Sequence, residues 1–344
     1  MILALASLVI VLGTGATIWG SYLKTIQSDL NATVALDEGR LIFLGDIMLA
    51  RDVERRGYAN AQGVDYHFSV LSEIARPKDV LVANFESAVP TVHSPTPNYV
   101  MSFSTPVDSL KALERAGMSA VSLANNHTFD KGVDGYIATT AAFSDTNMIA
   151  FGHPEQLSDE SVYYTNINDA RVAIIAAHTV WQGYSEETWK KVISETKTKS
   201  DLQVVFIHWG EEYFITHNLS QEKLAKFLVA EGIDAIVGHH PHVVQDVAMI
   251  DGVPVFYSLG NFIFDQYFSD DVQQGLALAM KIHNGQIFEI ELVPFSSLGS
   301  PTQPRLMSDK ARTLFLSTLA ERSQVDLAAG IRQGIIKLNE EILE

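Results

Sequence analysis

The stretch AIVGHHPHVVQ, residues 235–245, joins a short apolar run to three histidines around one proline. The apolar run is typical of a buried strand, and it ends at a glycine. Side chains two residues apart in an extended backbone point the same way, so His240 and His242 can approach one point. Pro241 cannot donate to a strand ladder and stiffens the turn between them. Paired imidazoles at the end of a sheet suit a divalent transition metal; the alternative is that they only cap backbone groups.

Six apolar segments of the chain each end in side chains suited to metal binding or proton transfer. Sites in α/β folds lie at the carboxyl ends of the strands, so we expect these side chains to converge. Their oxygens and imidazoles suffice for one or two divalent ions, and two ions can share a bridging carboxylate. Nitrogen and oxygen ligands without sulfur suit manganese, iron or zinc, and the sequence does not choose among them. The side chains are Asp46, Asn84, Glu86, Asn126, His127, His208, His240, His242, Asn261 and Asp265.

The order of apolar runs and helical patterns predicts an α/β fold. Strands alternate with helices along much of the chain, and turn signals at Asn168-Asp169, Asp251-Gly252 and Asn284-Gly285 predict three hairpins. This order indicates two stacked sheets flanked by helices, a four-layer αββα sandwich. We expect the body to span residues 40–300 and a helical extension without candidate chemistry to span residues 301–344.

The N-terminal residues 1–23 contain no charged side chain, and Trp19 and Tyr22 precede the first basic residue, Lys24. This run can cross a bilayer as a helix, with the aromatic pair in the interfacial belt. A cleaved signal peptide is the alternative, but the run is long for one and lacks a convincing small-x-small cleavage site. We therefore predict a single transmembrane anchor at residues 1–23 and a linker at residues 24–39.

Composition excludes several classes of function. The formal charge of −17 over 344 residues argues against a nucleic-acid-binding surface, which requires a basic patch. The same charge means that an anionic substrate must be attracted by local cations, for which bound metals are the obvious source. The absence of cysteine excludes disulfides, cysteine zinc sites and thiol nucleophiles.

Six sequence motifs resemble those of the CapA family of poly-γ-glutamate capsule biosynthesis proteins, which is similar to calcineurin-like metallophosphoesterases. They are GDIM at 45–48, NFE at 84–86, NNH at 125–127, HWG at 208–210, GHHPHVVQ at 238–245 and YSLGNF at 257–262. The resemblance implies a metallophosphoesterase-like fold and a body on the outer face of the cell membrane. It also implies capsule synthase and export subunits as partners, with poly-γ-glutamate as an anionic polymer substrate.

The resemblance also assigns roles to individual residues. Asp46 and His242 are expected to hold a first metal ion, which Glu86 would bridge to a second ion. Asn126, His208 and His240 are expected to hold this second ion. Metallophosphoesterases carry a histidine two positions after the first aspartate, where this chain has Met48, so the first ion has one ligand fewer.

The remaining candidate residues have less direct roles. His127 is expected to donate a proton to the leaving group or, alternatively, to orient a neighbouring group. Arg51 either grips an anionic substrate group or begins a solvated helix. His239 alternates away from the ligands and is interpreted as a structural or rim residue. Four further polar residues are expected to bind substrate or to orient the ligands: Asn84, Glu212, Asn261 and Asp265. For Glu212 and Asp265 the alternative is that they only cap loops.

Three functions are compatible with these residues. The first is a membrane-anchored, metal-dependent hydrolase that acts on an anionic ester or amide of a capsule polymer. The second is a non-catalytic subunit of the polymer synthase complex that binds polymer or serves as a scaffold. The third is a nucleotide or sugar-phosphate phosphatase unrelated to capsule.

Overall fold

The computed structural model describes residues 39–181 and 183–338 as an α/β fold with two β-sheets. Among these residues, no helix is both long and apolar enough to span a bilayer. The anchor and most of the linker that the sequence predicts lie outside the described residues.

The first sheet has nine strands and a parallel centre. Its main path runs β14-β13-β12-β1-β2-β3-β4, while β11 pairs with β1 and β15 with β13. Strands β1 to β4 are parallel to one another, whereas β12 is antiparallel to β1. The bounds are β1 Leu41–Ile47, β2 Val80–Phe85, β3 Ala120–Ser122, β4 Ile149–Phe151, β11 Asn261–Ile263, β12 Gln274–His283, β13 Gln286–Ser296, β14 Arg305–Leu306 and β15 Ile335–Lys337.

The second sheet has six strands in the order β5-β6-β7-β8-β10-β9. Strands β6, β7, β8 and β10 are parallel, and β5 and β9 form antiparallel edges. The central strand β7 is buried along its whole length, as expected of a parallel strand that is covered on both faces. The bounds are β5 Val162–Ile167, β6 Ala170–His178, β7 Leu202–His208, β8 Ala235–His239, β9 Val247–Ile250 and β10 Val253–Phe256.

The helices and the core give the fold four layers. One apolar cluster lies between the two sheets, where the rings of Phe43 and Phe206 are 5.3 Å apart. A second cluster packs the first sheet against helices α1, α2, α3 and α4, and a third packs the second sheet against α5 and α6. The bounds are α1 Arg51–Ala59, α2 Leu71–Ile74, α3 Asp108–Arg115, α4 Gly132–Ser144, α5 Glu186–Lys197, α6 Leu219–Ala230, α7 Asp309–Arg322 and α8 Ala328–Gln333.

The three hairpins predicted from turn residues are confirmed. They are β5–β6, β9–β10 and β12–β13, each antiparallel through its turn. The region after residue 301 contains the expected helices, α7 and α8, but it also supplies the short strands β14 and β15. Both strands pair with β13, so this region extends the first sheet.

Candidate metal centre

The first sheet places carboxylate and amide groups side by side at its carboxyl edge. Asp46 at the end of β1 is in register with Asn84 on β2 and with Asn261 on β11. This arrangement requires glycine at position 45, because a Cβ there would lie 1.8 Å from the carbonyl oxygen of Gly260. The glycine therefore lets the chain before β11 approach β1 closely enough to bring Asn261 beside Asp46.

The second sheet contributes the histidines. His208 at the end of β7 is in register with His239 on β8 and with His178 on β6. Gly238 has no room for a side chain, since a Cβ would lie 2.1 Å from the carbonyl oxygen of Tyr257. The strand ends of the two sheets therefore meet at one position, as the sequence predicts.

The turn that follows β8 corrects one step of the sequence argument. Strand β8 ends at His239, and His240 and His242 both have positive φ, 98° and 59°. Their rings are 5.8 Å apart because of this turn, and the expected extended backbone is absent at these two residues. Left-handed backbone at residues other than glycine is costly and tends to be retained at functional sites.

Asp46 is the buried centre of the cluster. Its carboxylate oxygens lie 3.3 Å from His239 Nδ1, 3.5 Å from His242 Nδ1 and 4.0 Å from His208 Nδ1. Burial works to raise the pKa of Asp46, but the contacts with His239 and His242 hold it well below its ordinary value. Asp46 is therefore ionised, as a metal ligand must be.

Glu86 offers the clearest free ligand atom. Its Oε1 is buried and has no hydrogen-bond partner, and it lies 3.8 Å from both His127 Nε2 and His242 Nε2. Burial, together with the charge of Asp46, raises the pKa of Glu86 well above its ordinary value. A buried carboxylate oxygen without a partner is costly, and a bound cation would satisfy it.

Three histidines of the cluster, His208, His239 and His240, favour their neutral form. Burial and neighbouring imidazoles lower the pKa of His208 and bring that of His240 to about 3. Burial also lowers the pKa of His239. Neutral imidazole is the form that binds metals, and the Nδ1 of His240 and the Nε2 of His239 have no hydrogen-bond partner.

Three groups of donors have their ligand atoms within 4.8 Å of one another. They are Asp46 with Glu86 and His242, Asp46 with His208 and His239, and Glu212 with His240 and His242. The donor set contains only nitrogen and oxygen and includes orphaned buried atoms. These residues fit a divalent metal, and the donor set does not distinguish manganese, iron and zinc.

Two asparagines orient the carboxylate and imidazole groups. The Nδ2 of Asn84 donates to Asp46 Oδ1 at 2.8 Å and to Glu86 Oε2 at 3.2 Å. The Oδ1 of Asn261 lies 2.9 Å from Nδ1 of His242, which leaves the Nε2 of that ring towards Glu86 and Glu212. Both asparagines are therefore placed to orient the carboxylates and the ring of His242.

His127 and Asn126 also lie at the centre. The Oδ1 of Asn126 is 2.8 Å from His208 Nε2. The ring of His127 is held by Asp130, whose Oδ2 is 2.8 Å from Nδ1, and it stacks on Phe103 with ring centroids 4.2 Å apart. Sequence reasoning missed Asp130, although its position three residues after His127 in a short loop was a usable signal.

Two further histidines and one methionine lie at or near the centre. His239 is fully buried and contacts Asp46, so the interpretation as a rim residue is wrong. His178 has no motif context in the sequence, yet it ends a strand beside His208, and its buried Nε2 has no hydrogen-bond partner. Met48 is buried, and its Sδ accepts from the backbone of Ala50 at 3.1 Å.

Arg51 and Asp265 lie beside the centre rather than in it. The Nε of Arg51 donates to Asp265 Oδ2 at 3.1 Å, and its Nη2 donates to Asp265 Oδ1. Arg51 is also the first residue of α1, but its side chain is buried, so the alternative of a solvated helix start is wrong.

Comparison with known proteins relates this chain to bacterial capsule synthesis proteins. A family model described as bacterial capsule synthesis protein PGA_cap matches residues 40–266, which include all six motifs. The capsule biosynthesis protein CapA of Bacillus anthracis is 33% identical over 296 residues, covering 79% of this chain and 71% of that protein. The PGA biosynthesis protein CapA of Bacillus subtilis is 34% identical over 244 residues, covering 65% of this chain and 63% of that protein.

The solved structures to which this chain is similar include a phosphatase and a putative 5′-nucleotidase. A crystal structure of a novel phosphatase from Mycoplasma pneumoniae has a TM-score of 0.48 at 15% identity and covers 75% of this chain and 94% of that chain. A putative 5′-nucleotidase from Staphylococcus aureus has a TM-score of 0.49 at 14% identity and covers 79% of this chain and 55% of that chain.

Proposed function

We propose that this chain, which belongs to the bacterial capsule synthesis protein family, carries a metal-dependent hydrolytic centre for an anionic ester or amide of a capsule polymer. Relatives named for PGA biosynthesis support poly-γ-glutamate as the polymer. The observation that carries the proposal is the convergence of buried carboxylates and neutral imidazoles on one point, with ligand atoms left unpartnered.

The residues have distinct tasks in this proposal. Asp46, Glu86 and His242 would hold one ion, and His208, His239, His240 and Asn126 would supply donors for a second. A divalent ion bound here would act as a Lewis acid on the substrate oxygen. His239 would provide a ligand beside Asp46 that Met48 does not provide.

His127 would hold the proton that the leaving group requires. Asp130 accepts from Nδ1 and keeps Nε2 directed to the side of Glu86, where it lies 3.8 Å from Oε1. The backbone N–H of Phe103 donates to the same Asp130 oxygen at 2.5 Å and fixes the carboxylate. An oriented, protonated imidazole can donate from Nε2, which is the geometry of general acid catalysis.

Activity and metal content on matched variants test this function. We expect His242→Ala and Glu86→Gln to lose bound manganese, iron or zinc and to lose hydrolysis of phosphate monoesters and γ-glutamyl substrates. His283→Ala, which changes a histidine at the β12–β13 hairpin, should keep both. Wild-type protein that holds no metal after refolding with these ions would contradict the proposal.

A non-catalytic role in the polymer synthase complex is the second candidate. One observation favours it: Met48 stands where a histidine ligand is expected, and its Sδ accepts a hydrogen bond from the backbone N–H of Ala50. This role predicts that His127→Ala leaves polymer production intact in cells while deletion of the whole chain abolishes it. Loss of polymer in the single variant would exclude it.

The cellular setting is also a proposal. Residues 1–23 would anchor the chain as a single membrane span, and the body would face outward and contact capsule synthase and export subunits. The support is the uncharged apolar run at the N-terminus, together with family membership. Protease treatment of intact spheroplasts should digest the body, and a protected body would contradict this orientation.

A further inference from the structure

A pocket of about 330 Å³ lies beside the candidate metal centre. Four separate segments build it: the start of α1, the loop between β2 and α3, the loop after β7 and the loop after β11. Among its lining residues are Arg51, Asn98, Met101, Tyr213, Gln266 and Phe268. The pocket is therefore a product of the tertiary fold, and it joins residues more than 200 positions apart.

Arg51 offers an incompletely satisfied cation to this pocket. Its side chain is 6% exposed, and its Nε and Nη2 are both occupied by Asp265. Among the described residues, Nη1 has a hydrogen-bond partner in Met101 Sδ at 3.3 Å, and a thioether is a weak acceptor. An oxyanion would replace this contact by a stronger, charge-assisted hydrogen bond.

The two aspartates that line the pocket are both paired with arginines. Asp265 is neutralised by Arg51, and Asp52 accepts hydrogen bonds from Arg55, Arg56 and Tyr267. With both lining aspartates already paired, the Nη1 of Arg51, whose hydrogen-bond partner is a thioether, is the group that an anionic ligand would contact.

The backbone holds the pocket walls in a fixed geometry. Arg51 and Tyr213 both have positive φ, 54° and 70°. The guanidinium of Arg51 also lies over two aromatic rings, 4.6 Å from the centroid of Phe103 and 5.7 Å from that of Phe264. The cation is thus pre-oriented before any ligand arrives, which lowers the cost of binding.

The pocket and the metal centre share one layer of aromatic rings. Phe103 also stacks on His127, and the ring of Phe264 is 4.7 Å from that of His242. Tyr213 lines the pocket and stacks on His242 at 6.1 Å. A substrate with its reacting bond at the metal centre would therefore extend into the pocket with its next unit.

We propose that this pocket is a substrate subsite in which Arg51 Nη1 binds an oxyanion that the substrate carries one unit away from the bond at the metal centre. The proposal rests on the proposed function and narrows its substrate class to chains with repeated oxyanions. Carboxylate and phosphate share the required chemistry, and γ-linked oligoglutamate and inorganic phosphate serve as the two probes.

Equilibrium binding to the full chain without turnover tests the subsite. The ligands are γ-linked pentaglutamate, its α-amidated counterpart and inorganic phosphate. The variant is Arg51→Met with Asp265→Asn, because removal of Arg51 alone would bury an unpaired carboxylate. The matched control is Arg40→Met with Asp79→Asn, which removes a buried, doubly hydrogen-bonded pair of the same kind at the start of β1.

We expect wild type and the control to bind pentaglutamate at least about tenfold more tightly than the amidated form, as charge-assisted hydrogen bonds imply. The Arg51 variant should lose this preference, and Arg51→Lys should retain part of it. Preference for phosphate alone, lost in the same variant, would support the subsite and assign it to phosphate-bearing chains.

A preference that the Arg51 variant retains would overturn the subsite, and so would a wild type that binds neither pentaglutamate nor phosphate. The outcome is separable from that of the proposed function. If His242→Ala loses hydrolysis while the Arg51 variant still prefers pentaglutamate to its amidated form, only the subsite is excluded. If the Arg51 variant loses the preference and the wild type hydrolyses no substrate, only the proposed enzymatic function is excluded.

Discussion

At the scale of single residues, the sequence predicts most of the metal centre because short apolar runs reveal where strands end. Asp46, Glu86 and His208 follow such runs and lie together in the structure. Of the two interpretations of His239, the one as a rim residue is wrong, because alternation along a strand fails once the backbone turns. The turn begins at His240, which has a positive φ, and no local pattern in the sequence predicts this backbone conformation.

His178 provides a test at the same scale. Its Nδ1 donates to the carbonyl oxygen of Pro154 at 2.7 Å, and burial lowers the pKa of the ring to about 4. The unfolded chain, with an ordinary histidine pKa near 6.5, takes up a proton in the window between pH 6.5 and pH 4, where the folded chain does not. Stability therefore falls as the pH falls through this window, and it is fully present above it.

The expected effect of His178 is about 2 kcal/mol between pH 7 and pH 5, from the linkage of proton uptake to unfolding. Urea unfolding in the presence of EDTA measures the free energy of unfolding at pH 7 and at pH 5. Between these pH values, we expect the free energy of unfolding to fall by about 2 kcal/mol less in His178→Gln than in wild type. Glutamine retains a donor for Pro154, so the hydrogen bond is kept. Equal losses in both proteins would contradict the neutral, buried state of His178.

At the scale of elements, the three hairpins were predictable because their turns need residues that tolerate a left-handed backbone. Asn168, Asp251 and Asn284 have φ of 54°, 48° and 51°. The short strands β14 and β15 were not predictable from their own composition. They pair with β13 at the edge of the first sheet, and such short pairings depend on the tertiary fold.

Gly238 lies where β8 and the segment after β10 approach each other closely. A Cβ at this position would lie 2.1 Å from the carbonyl oxygen of Tyr257 and 2.3 Å from Nε1 of Trp209, which donates to that same oxygen at 2.8 Å. We expect Gly238→Ala to lower the free energy of unfolding by about 3 kcal/mol, in the upper range for overpacking. Gly183→Ala is the control, because a Cβ there meets no atom within 4 Å.

Chemical denaturation of both glycine variants measures this difference. Gly183→Ala should unfold within about 0.5 kcal/mol of wild type, as surface substitutions usually do. A Gly238→Ala protein as stable as its control would show that β8 and the segment after β10 do not need this close contact. The position of His239 and His240 would then lose its structural explanation.

At the scale of the whole molecule, the centre exists because two sheets meet at their carboxyl ends. Asp46 lies on the first sheet and accepts from the backbone N–H of His240, 194 positions later, at 3.2 Å. The sequence predicts that strand ends converge in an α/β fold, but it gives no distances between groups so far apart. Pairing of Arg51 with Asp265 and the pocket beside it could not be predicted for the same reason.

The central claim is that this convergence binds divalent metal. Anomalous diffraction from crystals soaked in a manganese salt tests it most directly, because it locates each ion without reference to activity. We predict one or two strong peaks within coordination distance of Asp46, Glu86 and His242, and the loss of at least one peak in His242→Ala crystals. Crystals with no peak at these residues, or with manganese only at exposed acidic side chains, would contradict the account.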